Sequence, residues 1–203
     1  MKLLDWIKGR KKKQPIQVDL LEKSNRPEPV ITDELYFHED FYLQIEILPF
    51  ENKELLISES STIENFAKEH FDGQGFTDIY ERKGNKYPTI NKAINSGQIQ
   101  ELLENVGLKK LNRIKTGYSS YVENASGTFG FGNSNFGILM EAENNIVKNI
   151  FVLTYRLTSD DKELLVKGLK SIGDNFQMLL IDWEMSRLVD LTNRMDIENY
   201  INE

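Results

Sequence analysis

Cysteine is absent from the 203 residues, which excludes disulfides, a thiolate nucleophile and thiolate zinc sites. Histidine is almost absent as well. His38 and His70 are the only two, so imidazole-based metal or acid–base chemistry has little to draw on. Proline is sparse, and three of the five (Pro15, Pro27 and Pro29) precede residue 30. No apolar run reaches the roughly 18 residues of a membrane-spanning helix. The stretch Leu3, Leu4, Trp6 and Ile7 is too short for a secretory signal, and the run of charges follows it. A cytoplasmic location is the expectation.

What is present fits a globular chain: 39% hydrophobic and 10% aromatic residues. Charge is placed unevenly. Residues 1–13 hold six basic side chains (Lys2, Lys8, Arg10, Lys11, Lys12, Lys13) against Asp5, whereas the remainder holds 19 basic and 31 acidic ones. An acidic body disfavours general binding to nucleic-acid phosphates and suits a basic protein partner. The arm has three readings: an interfacial helix in weak contact with a membrane surface, a tether to nucleic acid, or a solvated segment folding onto its own domain. Residues 1–29 are taken as arm and linker, and residues 30–203 as the domain.

Within that domain, 41–47 alternates apolar and polar, predicting a half-buried strand with Phe41, Leu43, Ile45 and Ile47 inward and Gln44 and Glu46 outward. Residues 55–57 read as a second strand. Ser61 and Glu64 have capping-box spacing, for a helix carrying Ile63, Phe66, Ala67 and His70 on one face and stopped at Asp72-Gly73. Residues 77–82 read as a strand. A helix is predicted over 89–106, broken near Ser96-Gly97, with Ile99, Leu102, Leu103 and Val106 as its stripe and Gly107 as its cap. Strands follow at 111–115, 118–123, 128–132, 136–142 and 146–157, the last two as a hairpin about 143–145. Ser159 is expected to cap a helix over 160–172 that ends before Gly173. A strand at 176–182, another at 188–191 and a short helix from about Asn193 close the chain. The order implies a single α+β domain, a mainly antiparallel sheet with several helices packed on it.

Candidate chemistry is thin. His38-Glu39-Asp40 offers three ligand types, but neighbours on an extended segment point apart. His70 lies on an apolar helix face and reads as a partly buried side chain. Asp160-Asp161 suits a helix start. Gly132-Asn133-Ser134-Asn135-Phe136-Gly137 is one residue too long for a nucleophile elbow. No catalytic set, metal site or cofactor is expected. The most unusual stretch runs from Gly127 to Gly137 and lacks the lysine and spacing of phosphate or dinucleotide loops. Phe129 and Phe131 share one strand face there. The stretch is either a strand with a tight turn or a partner-binding surface of Phe129, Phe131, Asn133, Asn135 and Phe136.

Glu69-His70-Phe71-Asp72-Gly73-Gln74-Gly75-Phe76, a helix running into a Gly-x-Gly-aromatic turn, resembles a segment of small bacterial immunity proteins of polymorphic-toxin systems. The strand at 41–47 and the helix start Ser159-Asp160-Asp161-Lys162-Glu163 are similarly placed. Thr77-Asp78 stand where those proteins carry an aspartate–tryptophan pair. The resemblance implies a bacterial, non-enzymatic protein that neutralises a toxin by binding it, and the acidic body suits a basic one. Two alternatives stay open, an enzyme with scattered carboxylates and hydroxyls and a peripheral membrane scaffold. A deep pocket of titratable groups would favour the enzyme, and a flat acidic face with aromatics the binder.

Overall fold

Alternate residues of the central strands bury in opposite directions, and that single fact sets the architecture. The computed structural model describes residues 33–118 and 120–203; the arm and linker of residues 1–29 lie outside them. Its strands are β1 (Glu34–His38), β2 (Ile45–Pro49), β3 (Arg113–Tyr118), β4 (Tyr121–Asn124), β5 (Thr128–Gly132), β6 (Phe136–Glu143), β7 (Ile146–Thr154), β8 (Met178–Asp182) and β9 (Arg187–Asp190). Its helices are α1 (Lys53–Glu69), α2 (Ser96–Asn105), α3 (Ser159–Phe176) and α4 (Arg194–Asn202). Six strands form an antiparallel sheet in the order β5-β6-β7-β2-β8-β9, and β1-β3-β4 form a smaller one in which β1 and β3 run parallel. The fold is α+β, with antiparallel pairing dominant.

On one face of the large sheet, Ile138, Met140, Ile150, Val152, Met178 and Leu180 meet the apolar stripes of α2, α3 and α4. The intervening residues point the other way. Leu139, Phe151 and Leu153 pack on Leu35, Phe37 and Ile114 of the small sheet, while Leu179 and Ile181 pack on Leu56 of α1. The middle strands are thus buried on both sides, the condition under which strands lose their alternating pattern.

Several expectations hold. Ile99 and Leu103 bury the stripe of α2, and Gly107, at φ +95°, caps it. The β6–β7 hairpin turns on Asn144 and Asn145, both in the left-handed region. Other expectations are corrected. Of the first predicted strand, 41–47, only 45–47 is strand, and β2 continues to Pro49. Phe41 ends a 3-10 turn and is exposed, Leu43 has φ 55°, and Glu46 is buried rather than facing solvent. Residues 55–57 belong to α1, and Ser61 sits inside that helix, its hydroxyl donating to the Ile57 carbonyl. Residues 77–82 form no strand, and β1 is a strand the sequence did not announce. The break before α2 lies at residues 93–95, with Ala93 left-handed. Thr158, not Ser159, caps α3, in a reciprocal capping box with Asp161. Gly173 is inside α3, where an added Cβ would stand 2.1 Å from the Leu191 carbonyl oxygen.

Candidate functional site

Between α1 and the 3-10 turn at Thr89–Lys92 the chain runs as a long strap, residues 70–88, with no helix or strand of its own beyond one isolated bridge, Phe71 to Phe76. Irregular segments of more than about 12–15 residues are uncommon in compact domains and are usually either functional or linkers. What holds this one is polar. Three side chains, all less than one-tenth exposed, reach it from the domain: Glu46, Asn52 and Glu59. Glu59 Oε1 accepts from the Tyr80 hydroxyl at 2.9 Å and the Lys83 backbone N–H at 3.0 Å. Asn52 grips the Tyr87 backbone on both sides, its Nδ2 donating to the carbonyl at 2.8 Å and its Oδ1 accepting from the N–H at 3.0 Å. Glu46 Oε1 accepts from the Arg82 guanidinium at 3.1 Å, and the guanidinium also reaches the Leu43 carbonyl. Burial pushes the Glu46 carboxyl above its ordinary value, against the opposing pull of Arg82.

The first part of the strap is a tight turn. Asp72 Oδ1 accepts from the N–H groups of Gln74 and Gly75 at 2.9 and 3.0 Å, and those bonds hold its carboxyl below the usual range. Gly73 sits at φ +94°, which a side chain there would strain. The turn brings the Phe71 and Phe76 rings to 5.5 Å, tilted by 58°. These rings are not core. Phe71 is 53% exposed, Phe76 68% and Ile79 90%. Beside them a groove of about 490 Å³ runs along the second half of α1, lined by Ile63, Ala67 and Trp183 as well as the two rings. From Glu64 to the end of the strap the exposed charges are Glu64, Glu69, Asp72, Asp78 and Glu81 against Lys68, Lys83 and Lys86, with Arg82 partly buried. Around the Phe71–Phe76 turn the result is an open aromatic face with acids in excess, and the strap's bases, Arg82, Lys83 and Lys86, gather at its far end. The buried indole N–H of Trp183 makes no well-formed hydrogen bond but is directed at the Glu46 carboxylate, whose charged form it favours.

The glycine-rich stretch behaves differently from the expected surface. It is the β5–β6 hairpin, a strand and a tight turn. Phe131 and Phe136 are fully buried in the main core and Phe129 packs against it, so Phe131 and Phe136 cannot meet a partner from outside. Asn133 and Asn135 are committed to Asp161, with Nδ2 to Oδ distances of 2.6 and 2.9 Å. Burial alone would raise that carboxyl. The Thr158 N–H, both amides and the Thr158 hydroxyl outweigh it and hold Asp161 at about 2.

Both histidines have local roles. His38 Nδ1 accepts from the Asp40 N–H and caps a 3-10 turn, which requires the unprotonated nitrogen; the 3.3 Å approach of the exposed Asp40 carboxylate is the weaker contact. His70 stacks on Phe66 at 4.1 Å. A cleft of about 530 Å³ lies where β2 begins, beside β7 and α4. Its buried carboxylate, Asp182, is used up by the Tyr200 hydroxyl at 2.8 Å and the N–H groups of Glu184 and Met185. Among the described residues no three His, Asp or Glu side chains are grouped to hold a metal ion, and no helix is long and apolar enough to cross a membrane.

The sequence contained the signal for this face. Phe71, Phe76 and Ile79 are large apolar residues within a run of acids and glycines, where no periodicity assigns them to a core. No family model, curated protein or solved structure matches the chain.

Proposed function

We propose that the chain is a non-enzymatic protein-binding domain of the bacterial immunity kind, which neutralises a basic toxin by docking on it through the strap face. The observation that carries this is the pair Phe71 and Phe76. Large rings kept in solvent by a dedicated turn cost solubility and contribute little to folding, whereas aromatic anchors on a rigid loop are what binding interfaces use. The surrounding acids supply steering toward a basic partner. The strap is anchored by buried polar groups, so its apolar side chains are left free for another molecule. The segment that resembles immunity proteins, Glu69 to Phe76, is this same turn.

The test co-expresses this chain with candidate basic toxin domains, any encoded beside its gene first, and scores their toxicity in cells with and without it. Relief of toxicity is expected, with an association rate that falls steeply as salt rises from about 50 to 500 mM. Phe71→Ala with Phe76→Ala should raise the dissociation rate at least about tenfold. Unrelieved toxicity, or an association rate indifferent to salt, would show the function is something else.

A further inference from the structure

The groove beside the turn is more than apolar. Its floor is aliphatic, from Ile63 and Ala67 of α1. Its walls are the Phe71, Phe76 and Trp183 rings, and two exposed carboxylates, Glu64 and Glu184, stand at its mouth. Aromatic walls with carboxylates above an aliphatic floor match one kind of guest, a cation on a long apolar stem: the stem lies on the floor while the charge meets ring faces and carboxylates. The molecule already shows that one of these walls accepts such a group, because the Arg82 guanidinium lies over the Trp183 indole at 4.7 Å. Arg82 itself lines the neighbouring smaller hollow with Glu46, not this groove, so it does not fill the place.

We infer that this groove receives a lysine or arginine side chain of the basic partner, an inference that rests on the partner-binding reading above and names what that partner presents. Lys68, one turn along α1, is the resident competitor. Its ammonium stands 3.8 Å from Glu64 on a side chain 73% exposed. An exposed i,i+4 pair of this kind is weak enough for an incoming cation to displace.

Three capped tripeptides, Leu-Lys-Leu, Leu-Arg-Leu and Leu-norleucine-Leu, serve as probes in the full chain carrying Trp6→Phe, which leaves Trp183 as the single tryptophan of the two. Binding is read from the indole resonances of Trp183. The lysine and arginine peptides should bind at least about tenfold more tightly than the neutral isostere. Glu64→Gln with Glu184→Gln should erase that preference, Phe71→Ala with Phe76→Ala should abolish binding of all three, and Lys68→Ala should tighten the cationic peptides. The two glutamates are exposed, so their exchange tests the idea even if the phenylalanine variant misfolds. Equal binding of the norleucine peptide overturns the inference while leaving the partner-binding reading intact. No movement of the Trp183 signals with any peptide overturns it as well. Failure of the toxin-rescue experiment, by contrast, strikes the function and not the chemistry of the groove.

Discussion

Arg82 lies over the indole of Trp183, 4.7 Å from the ring centre, while its Nη1 stands 3.1 Å from the Glu46 carboxylate. One guanidinium therefore ties the strap to both the buried end of β2 and the residue that follows β8. Taking away one member of a buried pair leaves the other uncompensated, so Arg82→Ala should cost about 2–3 kcal/mol, less than for a fully buried pair because Arg82 is one-third exposed.

Glu46 also gives a pH signature. Its folded-state pKa is raised above 4.5 by burial, so the folded protein holds that proton more tightly than the unfolded chain. The associated stability is fully present below the unfolded value and is lost as pH climbs through the folded one. Glu46→Gln should flatten this fall, and Arg82→Ala should steepen it. Urea midpoints taken every half unit from pH 4 to 8 (about the span over which a buried carboxyl titrates) would check this; an unchanged slope in Glu46→Gln would assign the pH dependence elsewhere.

Asp161 has the opposite sign. With its carboxyl held at about 2, its stabilising contribution is present above the ordinary aspartate value and is lost as pH falls through the folded one. That contribution is about 2 kcal/mol. Asn133→Ala and Asn135→Ala should each move the acid-unfolding midpoint upward, because each removes one amide from the carboxylate. If neither moves it, the two asparagines do not hold the cap of α3.

Of the two readings open for the glycine-rich stretch the surface one fails, because Phe131 lies at 0% exposure in the core. Phe131→Ala should therefore cost about 3–5 kcal/mol. A change below half a kcal/mol would restore the surface assignment. The error shows where sequence patterning stops. Phe129 and Phe131 do share a face, as their spacing requires, but whether that face is covered depends on helices far along the chain. β2 was misread for a related reason. With clusters on both sides, Glu46 is buried alongside Ile47, and alternation stops reporting inside and outside. The beginning of α1 was missed because Leu55-Leu56-Ile57 reads as a strand and Asn52, whose side chain serves Tyr87, makes no cap bond. By contrast α2, α3 and the β6–β7 hairpin were legible, since their stripe, first-turn acids and turn asparagines are local signals. Of the candidate site, the turn at Asp72-Gly73 is legible, but the pins of the strap that follows it are not, because Glu46, Asn52 and Glu59 reach residues 80–87 over 21 to 36 residues of sequence.

Those pins make the last prediction. If the strap is a preorganised binding element, loosening it should weaken binding without touching the contact surface. Glu59 is the place to test, since it holds Tyr80 and the Lys83 N–H from a side of α1 facing away from solvent. Glu59→Ala removes both bonds and buries no new charge, so the global cost should be about 1–3 kcal/mol. Locally the effect should be larger. Amide exchange at Lys83, whose N–H is left without an acceptor, should speed up while amides of β6 and β7 stay slow, because the strap opens as its own unit. A basic partner should then bind about tenfold more weakly, since it must order the strap before using Phe71 and Phe76. Equal affinity alongside faster exchange would mean that the two rings are held by the Asp72 turn alone and that the three buried pins serve folding, not recognition.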